Sequence, residues 1–271
     1  MTDPLDLETA LETVRQAAAA ADEIAMRHFG SRLEIERKAD DSPVTVADRQ
    51  AEQAIREVLT SRWPEHEIFG EEYGRNKHAD PDAPLWLIDP IDGTRSFIRG
   101  LPFWSVQIAL MVKGELLLGV SSAPAFGETA WARTGGGAFL DGHPVSIRPV
   151  DRLAEADVCF GNLRTLAQGP RWRWAAAIVA EAARCRGYGD FYSYHRLADG
   201  SQDAVIESDV NILDIAALAV IVTEAGGHFT DLEGRPPGLA TTSVLAAAPE
   251  LHCSLLSSLH EIDRSEAADH S

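Results

Sequence analysis

The sequence is poor in positive charge. Its 271 residues include 24 lysines and arginines against 42 aspartates and glutamates, so the formal net charge is -18. Proteins that hold DNA, RNA or anionic membranes without sequence preference do so through clustered lysine and arginine, which this composition disfavours. We therefore expect neither a nucleic-acid partner nor a membrane partner. A small anionic substrate would need local positive charge from an arginine, from backbone amides or from a bound metal ion.

Cysteine and long hydrophobic runs are scarce as well. The three cysteines, at positions 159, 185 and 253, are odd in number and show no Cys-x-x-Cys pair and no Cys/His spacing. We interpret them as reduced thiols. The N-terminus has no basic-then-apolar leader, and no apolar run approaches the length that spans a bilayer. These absences predict a cytoplasmic protein.

The chain also lacks internal repeats and low-complexity linkers, and with 45% hydrophobic residues it is able to bury a large core. In residues 1–150, two helical patterns, over 5–29 and between Pro43 and Pro64, precede alternating strand patterns between 102 and 148. These patterns predict an N-terminal α+β lobe with helices packed on a largely antiparallel sheet.

A different pattern begins near residue 151. Strands and helices alternate over 151–262 and end with a strand at 241–247 and a helix at 249–262, which predicts a C-terminal α/β lobe. The polar residues 263–271 are predicted to form a flexible tail. The predicted fold class is therefore α/β, in two lobes.

The most informative stretch is Trp86-Leu-Ile-Asp-Pro-Ile-Asp-Gly-Thr94, which places two aspartates three residues apart around a proline. Residues 85–88 are apolar and predict a buried strand, so Asp89 is expected at its carboxyl end, where α/β proteins commonly bind ligands. Asp89 and Asp92 repel one another unless a cation lies between them. The following Gly-Thr pair offers N–H groups and a hydroxyl to an anion. The same residue types are typical of a surface turn, so the motif alone leaves both interpretations open.

Two further carboxylates lie at predicted element boundaries. Glu71 lies in Phe69-Gly-Glu-Glu-Tyr73, and Asp214 lies where Asn211-Ile-Leu-Asp opens a helix. Together with Asp89 and Asp92 they would form a site of oxygen ligands without histidine or cysteine. Such a site favours Mg²⁺ over zinc.

Four separated motifs resemble those of the inositol monophosphatase superfamily, in its order and at its spacings. They are Lys38-x-Asp40-x-Ser42-Pro-Val-Thr45-x-Ala-Asp48, Gly70-Glu-Glu72, Asp89-Pro-Ile-Asp-Gly-Thr94, and Leu213-Asp-Ile-Ala-Ala217 with Glu224-Ala-Gly-Gly227. The resemblance covers residues 5–262 and is specific because the motifs coincide. It implies the layered αβαβα fold of inositol monophosphatases and fructose bisphosphatases, and a homodimer. Leu213 departs from the family, which usually has tryptophan there.

The resemblance assigns roles to the matching positions. The implied ligands of two Mg²⁺ ions are Glu71, Asp89, Ile91 through its backbone carbonyl, Asp92 and Asp214. A third, looser ion near Glu71 is left open. Glu71 and Thr94, the latter supported by Asp48, are the implied catalytic residues that position the water attacking phosphorus. The amides of Gly93 and Thr94 are the implied contacts of the substrate phosphate, and Asp92 is a further implied substrate-binding residue.

The shared core does not specify the ester, because inositol, sugar and nucleotide phosphatases also contain it. Arg184-Cys-Arg-Gly-Tyr-Gly-Asp-Phe-Tyr-Ser-Tyr194 has Asp190 after a glycine, where inositol phosphatases usually have a small or hydroxyl residue. Asp190 and Glu207 would place two negative charges beside the leaving group, which suits a cationic amino alcohol better than a polyol. The stretch is similar to that of the histidinol-phosphatases of this superfamily. Arg186 is expected to contact the substrate. A purely helix-capping Asp190 is the alternative.

We therefore predict a Mg²⁺-dependent phosphomonoesterase that converts L-histidinol phosphate to L-histidinol and phosphate in histidine biosynthesis. The alternative within the family is an inositol-1-phosphatase or a broad sugar-phosphate phosphatase. A 3′-phosphonucleotide phosphatase is a further alternative, but the sequence shows no basic, aromatic cluster suited to a nucleotide. A binding or regulatory protein is the hypothesis of another class, and the intact carboxylate set argues against it.

Overall fold

The computed structural model describes residues 6–31, 35–37, 43–76 and 82–269. The Lys38-x-Asp40-x-Ser42 part of the first motif lies outside the described residues. The helices are α1 (Leu7–His28), α2 (Val46–Arg62), α3 (Thr94–Ile98), α4 (Leu163–Gln168), α5 (Trp172–Glu181), α6 (Asp190–Ala198), α7 (Ile212–Glu224) and α8 (Pro249–Asp269). A short 3-10 helix spans Leu153–Glu155.

The strands are β1 (Glu36–Arg37), β2 (Pro43–Val44), β3 (Glu67–Gly70), β4 (Gly74–Arg75), β5 (Leu85–Asp92), β6 (Ser105–Val112), β7 (Glu115–Ala123), β8 (Glu128–Arg133), β9 (Gly137–Leu140), β10 (His143–Val145), β11 (Asp157–Phe160), β12 (Arg184–Arg186), β13 (Ala204–Ser208), β14 (His228–Thr230) and β15 (Ser243–Ala247). Across the described part of the chain, no helix combines the length and hydrophobicity required to cross a bilayer.

The first half of the chain builds an eight-stranded sheet in the order β10-β9-β8-β7-β6-β5-β3-β4. Every neighbouring pair is antiparallel except β3 and β5, which run parallel. Ile88 in the middle of β5 pairs with Gly70 of β3 and with Ile108 of β6. The sheet is thus largely antiparallel, as predicted.

The second half builds a five-stranded sheet in the order β12-β11-β13-β15-β14. The strand β11 runs parallel to β12 and β13, whereas β15 is antiparallel to β13 and β14. Parallel neighbours need a crossover connection. Here α4 and α5 connect β11 to β12, and α6 connects β12 to β13.

Helices and sheets alternate in layers. The helices α1 and α2 pack on one face of the large sheet through a core that contains Val14 and Ile55. The helix α7 lies between the two sheets, because its Ala216 shares a core with Leu87 of β5 and Val244 of β15. The helices α5 and α8 cover the outer face of the small sheet. This order of layers is the αβαβα architecture that the sequence predicts.

The helix α7 is apolar around its whole circumference because it contacts a sheet on either side. Buried residues occupy most of its length, from Ile212 to Val222. Gly119 of β7 permits the close approach, since a Cβ at that position would lie 2.4 Å from the carbonyl oxygen of Ala217. The packing fixes the N-terminus of α7, and with it Asp214, relative to both sheets.

Several of the described elements differ from the sequence prediction. The strand β5 continues to Asp92 rather than ending at residue 88, because a bulge lets its pairing resume after the proline. The helix α8 continues to Asp269, so its predicted end at residue 262 was too early. Most of the predicted tail 263–271 is therefore helical, and its glutamate and alanines favour that conformation. The short α4 and β14 were not predicted, since their few residues show no clear periodicity.

Candidate active site

Asp89 and Asp92 lie near the end of β5, where a bulge directs both toward the same site. Residues three apart in a regular strand point to opposite faces of a sheet. Asp89 pairs with Gln107 of β6 and Asp92 pairs with Ser105, so β5 contains one more residue than β6 between these pairs. The extra residue shifts the alternation of side chains between the two faces of the sheet, so Asp89 and Asp92 point to the same side. The N–H of Ile91 donates to Oδ1 of Asp89 at 3.0 Å and holds the bulge.

Asp214 joins the two aspartates from the first turn of α7, where a capping box holds it. The backbone N–H of Asn211 donates to Asp214 Oδ2 at 3.0 Å, and the side-chain amide donates to Oδ1 at 2.6 Å. Leu213, at the position that departs from the family, is buried in the core between the sheets. One carboxylate oxygen from each of Asp89, Asp92 and Asp214 lies within 4.8 Å of the others.

Glu71 is held at the same site by a residue that the sequence prediction missed. The backbone N–H of Glu71 donates to the carbonyl of Ile88 at 3.2 Å, which places Glu71 beside β5. The fully buried Glu52 of α2 accepts the N–H of Glu72 at 2.6 Å and fixes this turn. Glu52 lies one helical turn after Asp48, and this spacing on one helix face was the available sequence signal.

Thr94 begins α3 and faces Asp48 of α2. Its hydroxyl oxygen lies 3.4 Å from Asp48 Oδ1 and 3.1 Å from the carbonyl oxygen of Ile91. The other oxygen of Asp48 accepts the N–H and the hydroxyl of Thr45 at 2.8 Å and 2.6 Å. The bond from the N–H of Thr45 is part of the capping box that begins α2. Asp48 is thereby fixed with one oxygen toward Thr94.

Gly93 precedes α3 in a conformation that favours glycine, with φ +86°. A Cβ there would lie 2.6 Å from the carbonyl oxygen of Phe103 and 3.3 Å from Oδ2 of Asp190. The first amides of a helix have no acceptor inside it. Gly93 and Thr94 line the cavity, so these amides are available to an anion bound there.

The carboxyl groups of the site are buried and close together, which raises their pKa values. Burial is the largest cause for both Asp89 and Asp92, and it raises their pKa values well above the ordinary range. Repulsion from Glu71 adds to the pKa of Asp89, and repulsion from Asp190 adds to that of Asp92. Burial also raises the pKa of Asp214 to about 6. The protein alone therefore disfavours full ionisation of this cluster.

A divalent cation fits the residues that are present. Among the described residues that line the cavity, six are acidic and one, Arg95, is basic. Carboxylates and a backbone carbonyl are hard oxygen ligands, which suit Mg²⁺. A cation between the carboxylates would replace their mutual repulsion by attraction.

Asp190 reaches the cavity from the second half of the chain. Its backbone has φ +50°, a left-handed conformation that few residues other than glycine, asparagine and aspartate adopt. Gly189 is the N-cap of α6, and among the described residues no side chain caps this helix, so the capping alternative for Asp190 was wrong. Burial raises the pKa of Asp190 to about 6, and repulsion from Asp214 adds to the rise.

Glu207 of β13 lies behind Asp190. The buried Tyr194 donates its hydroxyl to Glu207 Oε2 at 2.9 Å, so this core residue also orients a carboxylate. Burial raises the pKa of Glu207 to about 8, although the bond from Tyr194 opposes the rise. A Cβ on Gly161 would lie 1.8 Å from Glu207 Oε1, so only glycine leaves room for this side chain.

The cavity that contains the carboxylate cluster has a volume of about 550 Å³ and brings together residues from both halves of the chain. The predicted site residues that line it are Glu71, Asp89, Ile91, Asp92, Gly93, Thr94, Asp190 and Asp214. Asn162 and Asp209 also line it. Neither was predicted, since both follow strands of the second sheet outside any motif. Asp48 contacts Thr94, and Glu207 lines a smaller adjoining cavity with Asp190 and Asp214.

Arg186 is a predicted site residue that lines neither this cavity nor the adjoining one. It is exposed, and its guanidinium donates to the carbonyl of Cys185 at 2.7 Å. It lines a separate cavity together with Arg184 and Arg196. A contact between Arg186 and the substrate stays a prediction.

Comparison with known proteins identifies the family to which the sequence is similar. The sequence pattern of the inositol monophosphatase family matches residues 6–264. A histidinol-phosphatase of Streptomyces coelicolor is 38% identical over 90% of this chain and 94% of that protein. A histidinol-phosphatase of Mycobacterium tuberculosis is 40% identical over 80% of this chain and 85% of that protein. The solved structure of an inositol monophosphatase from Zymomonas mobilis is 32% identical and superposes with a TM-score of 0.84, covering 95% of this chain and 100% of that chain.

Proposed function

The chain belongs to the inositol monophosphatase family, and from this membership we propose that it hydrolyses L-histidinol phosphate to L-histidinol and inorganic phosphate. The two relatives that carry the name histidinol-phosphatase support this substrate. In the cell, the reaction would be a late step of histidine biosynthesis.

The observation that carries this substrate is the position of Asp190. Its carboxylate is directed into the cavity and does not cap α6. Together with Glu207 it makes one end of the site strongly acidic. Histidinol phosphate has an ammonium group on the carbon next to the ester-bearing carbon, and charge-assisted hydrogen bonds to buried carboxylates would bind it. A polyol has only hydroxyl groups and gains less from this environment.

Two Mg²⁺ ions are supported by the ligand set. Glu71, Asp89 and the carbonyl of Ile91 would hold one ion, whereas Asp89, Asp92 and Asp214 would hold the second. The grouping of three carboxylate oxygens within 4.8 Å supports the second set. A third ion near Glu71 remains part of the proposal. When bound, Mg²⁺ acidifies water and neutralises charge on the phosphate oxygens.

The attacking water is positioned by Thr94 and Glu71. The hydroxyl oxygen of Thr94 accepts a hydrogen bond from this water while Thr94 donates its own hydrogen to Asp48. Asp48 is held by Thr45 in the orientation that this transfer requires. Glu71 accepts the second hydrogen of the water. The water thereby points an oxygen lone pair at phosphorus, opposite the leaving oxygen.

The phosphate is held by the amides of Gly93 and Thr94 at the start of α3, with Asp92 beside it. The leaving alcohol then lies toward Asp190 and Glu207. This orientation places the amino group of histidinol next to the acidic end of the cavity. We also propose a homodimer, on the ground of the family resemblance. We propose a cytoplasmic location because the described cysteines are all free thiols, which is typical of a reducing compartment.

A panel of phosphate esters tests the substrate. We expect the highest kcat/KM for L-histidinol phosphate when it is compared with myo-inositol 1-phosphate and a neutral alkyl phosphate. Asp190→Asn removes the charge and keeps a residue that tolerates the left-handed backbone. It should raise KM for histidinol phosphate about 10-fold or more, the loss of one charge-assisted bond, and change the neutral ester little. Equal losses on both esters, or a preference for inositol 1-phosphate, would overturn the proposal.

An inositol monophosphatase is the second candidate, and a specific observation favours it. The solved structure from Zymomonas mobilis matches the whole fold at 32% identity, so the core of the two proteins is the same. The ester panel separates the two functions, because both depend equally on the metal ligands and differ in the leaving group.

A further inference from the structure

A second group of side chains with metal-ligand chemistry lies outside the active site. His228 belongs to β14 at the edge of the small sheet, and His252 and Cys253 are adjacent residues in the first turns of α8. One ring nitrogen from each histidine and the sulfur of Cys253 all lie within 4.8 Å of one another. We call these three residues the His228–His252–Cys253 cluster. None of its members lines the active-site cavity.

The cluster combines a fixed ligand with two adaptable ones. His252 is 4% exposed, and its Nε2 lies 2.9 Å from the hydroxyl of Thr230. The rings of His228 and His252 meet edge to face with centroids 5.4 Å apart. His228 and Cys253 are exposed, so their side chains are free to reorient toward a shared ion. An orienting hydrogen bond on a buried histidine is a common support of metal ligands.

We propose that the His228–His252–Cys253 cluster binds one Zn²⁺ ion through two imidazole nitrogens and one thiolate, with water as the fourth ligand. Zinc prefers nitrogen and sulfur in a tetrahedral arrangement, with Zn–N of about 2.0 Å and Zn–S of about 2.3 Å. These lengths place tetrahedral ligand atoms about 3.4 to 3.6 Å apart. The three atoms therefore need to close by little more than about 1 Å, which rotation of the two exposed side chains supplies. Mg²⁺ is disfavoured here, because it selects oxygen ligands.

Zinc at this cluster would connect the edge strand β14 to the last helix. The helix α8 packs on the small sheet through Leu251 and Leu255, which share a core with Leu245 of β15. Within the described part of the chain, the strand β14 pairs only with β15, and it has just three residues. A metal ion bound by His228 and by residues of α8 would link this edge strand to the helix. Zinc binding should therefore stabilise the folded protein.

Cobalt binding to the full-length protein tests the site. The protein is stripped with a chelator, saturated with Mg²⁺ to occupy the oxygen ligands of the active site, and titrated with Co²⁺. We expect a thiolate-to-cobalt charge-transfer absorption that saturates at one equivalent, because carboxylates do not produce this band. Addition of Zn²⁺ should abolish the band by displacement. Absence of the band in the wild-type protein would overturn the proposal.

Matched variants identify the ligands. Cys253→Ser should remove the charge-transfer band, whereas Cys185→Ser, which changes a cysteine of β12, should keep it. His228→Gln should weaken Zn²⁺ binding more than about 10-fold, a loss that even residues supporting a ligand commonly cause. A band that persists in Cys253→Ser, or that disappears equally in Cys185→Ser, would overturn the assignment. These absorption measurements do not depend on phosphatase activity, so they test the zinc site independently of the proposed reaction.

Discussion

Thr94 has one hydroxyl hydrogen and two acceptors within reach, the carboxylate of Asp48 and the carbonyl of Ile91. When that carbonyl coordinates a metal ion, Asp48 is the acceptor that remains. The burial of Asp48 raises its pKa, while its bonds from Thr45 oppose the rise. In the proposed reaction, Asp48 would therefore accept the hydrogen that Thr94 donates.

Removal of this hydroxyl tests its role. Thr94→Val should lower kcat about 100- to 10,000-fold, the range typical of a lost proton-transfer group, with little change in KM. Thr94→Ser keeps the hydroxyl and should retain most of the activity. Steady-state kinetics at saturating Mg²⁺ provide the measurement. An unchanged kcat in Thr94→Val would show that the hydroxyl plays no part in the reaction.

At the scale of elements, the first turns of two helices position carboxylates of the candidate site. Asp48 and Asp214 each occupy the third position of a helix and close a capping box with the N-cap residue, Thr45 in α2 and Asn211 in α7. The same bonds that stabilise the helix thus direct a carboxylate toward the cavity. The bulge in β5 has a comparable role, since it brings Asp89 and Asp92 to one side.

The cap of α7 allows this dual role to be measured. Asn211→Ala should lower the free energy of unfolding by about 1 kcal/mol, as cap removal commonly does. It should also raise the Mg²⁺ concentration for half-maximal activity up to about 10-fold, because Asp214 loses the bond from the side-chain amide of Asn211 that orients its Oδ1. Urea unfolding and a Mg²⁺ titration of activity measure the two effects.

Asp6 provides the matched control for this prediction. It caps α1 by accepting the N–H groups of Glu8 and Thr9, and α1 packs on the face of the large sheet remote from α7. Asp6→Ala should cost a similar free energy of unfolding and leave the Mg²⁺ requirement unchanged. If both variants shift the Mg²⁺ requirement equally, the effect reports general destabilisation and not the orientation of Asp214.

At the scale of the whole molecule, two sheets and a shared helix bury a group of acids that repel one another when they are ionised. Burial raises the pKa of Glu207 to about 8. An acid whose pKa is higher in the folded state stabilises the fold when protonated, and this contribution is lost as pH rises toward that pKa. Burial lowers the pKa of His252 to about 4. Protonation of His252 therefore affects the free energy of unfolding only below about pH 6.5, the ordinary pKa of histidine in an unfolded chain.

The stability of the metal-free protein should therefore fall between pH 7 and 8. Glu207 alone should lower the free energy of unfolding by about 1 kcal/mol over this interval, since one pKa unit corresponds to about 1.4 kcal/mol. Stabilisation by Mg²⁺ should grow over the same interval, because the ion binds the deprotonated carboxylates. Urea unfolding in EDTA and in Mg²⁺ at both pH values tests this. A Mg²⁺ effect that is independent of pH would contradict it.

The sequence by itself determined the family and the layered fold, and it predicted the metal ligands. The two aspartates around Pro90, the capping boxes of Asp48 and Asp214 and the apolar pattern of α7 are local features, and short-range geometry and periodicity specify them. Boundaries were less predictable where pairing resumed beyond a bulge or where a short element lacked a period.

Only the tertiary structure decided which distant residues meet. It directed Asp190 into the cavity instead of leaving it as a helix cap, and it left Arg186 outside. It also showed that Glu52 supports the Glu71 turn, and that two histidines and a cysteine with no sequence spacing lie together. The physical reason is that these contacts depend on how α7 and the two sheets pack, which joins positions far apart in the chain and leaves no periodic signal along it.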